Sequence, residues 1–209
     1  MVHQEQSVEI KILLFLSGFT ILSLEILGIR ILAPYVGTSA PVWAALISVP
    51  LLGSAVGYYG GGMLADRVQK KEILLWLAAG ASLYIVLIPT LRSVMSIIAL
   101  HTSYGIGAFI GSMLLFFVPV VFLSALATYI IRVFVKNLDT VGQVHGTLYA
   151  LTTVGSVVGV FGTSYILIPF FTTPHILYGL GILLILLSAS IFLHPHLEKS
   201  SVHSKTSAD

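Results

Sequence analysis

Gly53-Ser54-Ala55-Val56-Gly57-Tyr58-Tyr59-Gly60 returns 102 residues later as Gly155-Ser156-Val157-Val158-Gly159-Val160-Phe161-Gly162, and the same offset lays Arg30 over Arg132. Small residues at this spacing let helix backbones approach closely, so the two segments read either as equivalent helices of an internal repeat or as two separate packing seams. The shared serine, valine and third glycine, with the matching arginine, favour the repeat.

Outward from these segments the chain is almost without charge. Of its 209 residues 57% are hydrophobic and 9% charged, where a soluble domain has about 45–50% and about 25%. Such a composition describes an integral membrane protein. A crossing helix needs about 20 mostly apolar residues, so the gaps between charges set the number of crossings. A first span fits between Lys11 and Pro34, broken only by Glu25 and Arg30. After the turn-like Pro34-Tyr35-Val36-Gly37-Thr38-Ser39 a second runs from about Ala40 to Leu64, and Asp66 to Glu72 forms a charged loop. A third fits Ile73 to Leu91, followed by an amphipathic connector from Arg92 to Ser103 at the interface. Tyr104 to Ile131 is uncharged and reads as one helix bent near Pro119, because proline lacks a backbone donor and crowds the preceding turn. Residues 140–197 hold no Lys, Arg, Asp or Glu, and Thr172-Thr173-Pro174 divides them into about Gly146 to Phe171 and His175 to Leu193. The sequence therefore predicts an all-α membrane protein of six transmembrane helices.

Each copy of the repeat then holds three spans, about 12–92 and about 104–193. Three is odd, so the second copy enters from the opposite side, as in the inverted repeats of many secondary transporters. Short cytoplasmic loops retain positive charge. With the N-terminus inside, Lys11, Arg67, Lys70, Lys71, Arg132, Lys136, Lys199 and Lys205 are cytoplasmic, and only Arg30 and Arg92 are outside. Both termini are expected in the cytoplasm of a prokaryotic cell, with residues 1–11 the cytoplasmic N-terminus and 194–209 a disordered cytoplasmic tail below the inner membrane. The first span has no small-residue cleavage site and reads as retained. A net charge of +2 gives no basic surface for nucleic acid. Cysteine is absent, so thiolate metal sites and a Cys nucleophile are excluded.

Glu25 is the carboxylate lying well inside a span. An acid there has to be protonated, paired or facing water, and three readings stand: it fixes packing by bonding another helix, it binds a cation or relays a proton, or it meets water. Arg30, five residues on, lies about 140° around the helix from it, so the two do not face each other. His145 and Tyr149 lie four apart at the start of the fifth span, and His194 and His196 lie in the tail, but no carboxylate or cysteine joins either pair. No metal centre and no cofactor is expected. Asp66 and Asp139 fall in loops, so no Ser-His-Asp set is assignable and no catalytic residue is named. Trp43, Tyr35 and His175 read as anchors at the outer interface.

Gly62-Met63-Leu64-Ala65-Asp66-Arg67-Val68-Gln69-Lys70-Lys71 has two readings. Arg67, Lys70 and Lys71 fix topology by position alone. The segment is also similar to the loop between the second and third helices of the major facilitator superfamily, G-x-L-A-D-R-x-G-R/K-R/K. Gly62, Leu64, Ala65, Asp66, Arg67, Lys70 and Lys71 match, and Gln69 stands where the later glycine falls. Ser17-Gly18, then Glu25 to Ser39, then Val42-Trp43, resembles the first helix and loop of the membrane domain in fused facilitator/spermidine synthase proteins. Gly146, Leu148-Tyr149-Ala150, Gly155 and Leu167-Ile168-Pro169 resemble that domain's fifth helix, and the likeness covers roughly residues 12–193.

That resemblance implies a half-transporter-like membrane domain, commonly joined to a cytoplasmic aminopropyltransferase-like domain. This chain shows no strand-glycine-helix nucleotide site after its sixth span, so it is not expected to make polyamines by itself. Two functions are open. One is carriage of a small solute, cationic such as a polyamine, with Glu25, Arg30 and Tyr149 as candidate substrate, proton or cation residues. The other is a non-transporting anchor or regulator of a separate aminopropyltransferase- or methyltransferase-like enzyme. Expected partners are the lipid bilayer, a second copy or another chain, and such a cytoplasmic enzyme. Asp66 is expected to meet a helix end in an opposite half, and Gly53, Gly57, Gly60, Gly155, Gly159 and Gly162 to form the seam between copies.

Overall fold

The computed structural model describes residues 2–68, 70, 72–134 and 141–193. Gln69, Lys71, Lys136, Asp139 and the tail expected at 194–209 lie outside the described residues, as does the side chain of His145. The described chain is helical: α1 (Val2–Val36), α2 (Ala40–Arg67), α3 (Glu72–Leu91), α4 (Met95–His101), α5 (Tyr104–Ser112), α6 (Val118–Phe134), α7 (Val141–Gly162), α8 (Ile168–Phe170) and α9 (Thr173–Leu193). Among the described residues six stretches are long and apolar enough to cross a membrane: Val8–Val36, Ala40–Arg67, Glu72–His101, Tyr104–Arg132, Gly146–Phe170 and Thr173–Ser190. The number matches the count from charge gaps.

The ends of the helices differ from the sequence expectation in ways that have local causes. Pro34 does not end α1, which continues to Val36. The turn is made instead by Gly37, whose φ of +74° is open to glycine at little cost, and whose N–H reaches the Ala33 carbonyl at 2.9 Å. Beyond Leu91 the chain stays helical, as a 3₁₀ turn over Arg92–Val94 and then α4, which buries Met95 against the bundle.

Pro119 produces a widened turn. A π turn spans Met113–Phe117, two residues short of it, and a second spans Thr163–Leu167, two residues short of Pro169. Widening moves the backbone acceptor that the pyrrolidine ring would strike. It also strands a carbonyl, since the N–H five residues past Leu114 belongs to Pro119 and does not exist. The Tyr84 hydroxyl donates to that Leu114 oxygen at 2.5 Å, supplying the missing bond.

The bundle is built on α1, whose span is 61% buried, whereas the fifth span is only 17% buried and lies at its edge. α1 packs along α7, α2 along α6, and α3 along both α6 and α9. Large apolar side chains on the outside, such as Leu100, Phe170 and Trp76, are more than two-thirds exposed. This is the surface expected of helices that contact lipid.

The two main seams use the repeated glycines. A Cβ added at Gly57 would stand 2.5 Å from the Val121 carbonyl oxygen, and one at Gly53 would stand 3.1 Å from that of Phe117. Across the other seam Gly155 lies on the Phe15 carbonyl and Gly159 on that of Phe19. These four glycines are therefore occupied inside one chain, which corrects the expectation that they join two copies. Gly60 faces open space, and Gly162 meets only the Phe19 ring. Each contact of one seam lies 102 residues from a contact of the other: Gly53 and Phe117 against Gly155 and Phe15, Gly57 and Val121 against Gly159 and Phe19.

Candidate functional site

α1 carries Glu25 half-buried into a cavity of about 280 Å³ that α2 and α7 complete. Ser54, Tyr58, Thr152 and Ser156 supply its polar wall, and Leu22, Leu51 and Ala55 its apolar one. The cavity exists because the helices meet closely on either side of it. Ser156 donates to the Gly18 carbonyl at 3.1 Å, and about two helical turns further along, Thr163 donates to Ser23 at 2.7 Å. The Glu25 carboxyl makes no hydrogen bond or ion pair with any described residue.

Tyr58, Thr152 and Ser156 also line a second cavity of about 120 Å³, together with Thr128, Tyr149 and Thr153. Shared walls join Glu25 to Tyr149 through a strip of hydroxyl groups. Ser124 donates to Ser54 at 3.2 Å behind this strip. Thr128, Thr152, Thr153 and Ser156 give their protons to backbone carbonyls, which leaves hydroxyl oxygens able to accept from water or to face a cation. One water takes about 30 Å³, so the larger cavity has room for a small solute with some of its hydration.

Arg30 stands elsewhere. It is exposed at the end of α1, where its guanidinium donates to the Ile168 carbonyl at 3.3 Å, and it lines a different cleft with Arg92. Of the three candidates, the structure brings Glu25 and Tyr149 to one strip and leaves Arg30 apart.

The facilitator-like segment docks on α6. Ala65 is fully buried, and Gly62 lies 3.8 Å, measured from an added Cβ, from the Thr128 methyl. Asp66 accepts from Arg132 Nε at 2.8 Å, so its partner belongs to the same chain, which corrects the expectation of a helix end in another half. Both groups are exposed, at 57% for Arg132 and 60% for Asp66, and such pairs contribute about 1 kcal/mol or less. Arg67 and Lys70 are exposed beside them. This pair too has a counterpart 102 residues away, in Arg30 and Ile168.

Sequence reasoning missed Tyr129 and the serines. Tyr129 is buried, and its hydroxyl accepts the Lys70 N–H at 2.8 Å while lying 2.8 Å from the Val68 and Lys70 carbonyls. Ser54 and Ser156 lie 102 residues apart at matching places of the two glycine-rich segments, and that coincidence was the available signal. No group of three or more potential metal ligands occurs among the described residues.

Fold and surface together define a polytopic helical membrane protein with a partly exposed polar strip along α1, α2 and α7. No protein-family model matches the chain, and no curated protein or solved structure matches it either. The likeness to the fused facilitator/spermidine synthase membrane domain is therefore carried by its sequence motifs alone.

Proposed function

We propose that this is a transporter-like protein of two inverted three-helix units that moves a small cationic solute, with or without a proton, through the strip headed by Glu25. The observation that carries the reading is a carboxylate within a span, lining a cavity and meeting no partner among the described residues. A carboxylate in that setting costs too much to keep as packing material, so an intramembrane acid is by default a functional one. Cation binding or protonation relieves the cost.

The repeat supports the same reading. Contacts related by 102 residues recur in both glycine seams and in both arginine contacts, as a twofold relation between units would require. Residues in register along α1 and α7 increase together, as do those along α2 and α6, which, with α1 and α2 crossing in opposite directions as successive spans, supports opposite directions for helices equivalent by the offset. The position equivalent to Glu25 is Ala127, which lines the second cavity. One acid thus serves a pathway with two halves, as expected where a site lies at the repeat interface.

In this reading the termini are cytoplasmic and the protein lies in a prokaryotic plasma membrane. The chain is not itself an enzyme, and the resemblance makes a polyamine the first solute to test. A second copy or another chain closes the side of the cavity where Leu51 and Ala55 are exposed to lipid.

The test is solute flux into liposomes that contain only this protein, across a panel of polyamines and amino acids. A cationic member of the panel should accumulate, and Glu25→Gln should lower its rate at least about tenfold while insertion and melting stay unchanged, since the amide keeps the shape but cannot ionise. Normal flux in the Gln variant would remove the residue from the mechanism. No flux for any solute would favour an anchor for a separate aminopropyltransferase-like enzyme.

A further inference from the structure

At the end of the bundle away from Asp66, the ends of α1, α3 and the fifth span leave a cleft of about 660 Å³ lined by Arg30, Arg92, Phe171, Thr172 and Thr173. No aspartate or glutamate lines it. Arg30 spends one N–H on the Ile168 carbonyl and keeps the rest of its five donors. The Arg92 side chain is exposed, on the 3₁₀ turn that follows α3, and makes no hydrogen bond or ion pair with any described residue. Two guanidinium groups facing one cleft with no acid between them call for an anion, and a phosphate is the group their fork geometry fits.

Phe171 also closes the upper end of a second, apolar space of about 500 Å³. This groove follows His175, Gly179, Leu183 and Leu186 down one face of α9, against Phe19 and Leu167. From His175 to Leu186 it runs about 16 Å at about 1.5 Å per residue, half of the about 30 Å hydrocarbon core. The groove is therefore one leaflet deep. Its polar end is marked by the hydrogen bond between Thr172 and His175 Nδ1, 2.5 Å long.

We propose that the cleft and groove together hold one anionic phospholipid, with its phosphate on Arg30 and Arg92 and an acyl chain lying along Gly179, Leu183 and Leu186. A free phosphate would account for the arginines but not for an adjoining groove of leaflet depth. A neutral lipid would account for the groove but not for the two charges. The site stands apart from the Glu25 strip and does not depend on transport.

Binding is read by native mass spectrometry on delipidated protein in mild detergent, titrated with phosphatidylglycerol and with phosphatidylcholine. Wild type should prefer phosphatidylglycerol by about tenfold or more, because each arginine near a headgroup is worth about fivefold. Arg92→Gln should lower affinity for phosphatidylglycerol about fivefold and leave that for phosphatidylcholine unchanged. Gly179→Leu should weaken both lipids, since an added Cβ there meets no protein atom within 4 Å and the new side chain fills the groove. Melting without lipid should be unchanged in both variants, which separates lost binding from lost folding. Equal affinity for the two lipids, or an indifferent Arg92→Gln, would overturn the proposal. Displacement of phosphatidylglycerol by inorganic phosphate, with Gly179→Leu silent, would also overturn it by reducing the site to a free-anion cleft.

Discussion

The Tyr129 hydroxyl, buried on α6, holds the link between α2 and α3 among the described residues, accepting the Lys70 N–H and lying within hydrogen-bond reach of the carbonyls of Val68 and Lys70. Replacing it with phenylalanine keeps the ring in its packing but leaves those backbone groups without their partner, which costs about 1–3 kcal/mol where they are shielded from water. Tyr129→Phe should therefore be cut by trypsin after Arg67 or Lys70 faster than wild type, with the six spans otherwise intact. Equal cleavage rates would show that the link is held by something else. The sequence offered no sign of this role, because a tyrosine in an apolar run is indistinguishable from a packing residue until another helix supplies its partners. Glu25 was legible for the opposite reason, since charge in a span is rare on energetic grounds. The hydroxyls of the strip were harder to read. Serine and threonine inside helices usually bond back to the preceding turn, as Thr152 does to Leu148 and Thr153 to Tyr149. Only the packing of α1, α2 and α7 shows which of them also face a cavity.

At the scale of the helix, spacing of small residues predicted close approach but not the partner. Gly53 and Gly57 set α2 on α6, and Gly155 and Gly159 set α7 on α1, all within the chain. A side chain at Gly57 or Gly159 has a backbone oxygen in its place, and a backbone cannot rotate away as a side chain can. Gly57→Leu and Gly159→Leu should each lower stability by about 3 kcal/mol or more, as overpacking of a tight seam does. Gly60→Leu, at a position where nothing lies within 4 Å of an added Cβ, should change it by less than about 0.5 kcal/mol. Thermal melting in detergent would rank the three, and a Gly60 variant as unstable as the others would contradict the seam geometry. The prolines were legible as interruptions but not as to kind. A missing donor and a ring clash are met either by a bend or by a widened turn, and the choice rests on neighbours such as Tyr84, which supplies the donor for Leu114.

For the whole molecule, six spans were readable because charge is excluded from the hydrocarbon, and the loops are short enough for each gap between charges to hold one or two helices. The end of each helix was less readable, since proline, the αL glycine at Gly37 and the helical run past Leu91 shift boundaries without changing the count. The proposed transport needs inversion, because two oppositely inserted units would let a site between them open to either side of the membrane in turn. Lys70 and Thr172 are equivalent by the 102-residue offset, both exposed, and at opposite ends of the bundle. The chain has no cysteine, so each position can carry the only thiol. With a membrane-impermeant maleimide on intact cells, Thr172→Cys should react at once and Lys70→Cys only after the membrane is opened. Reaction of both positions from the same face would contradict the inverted arrangement.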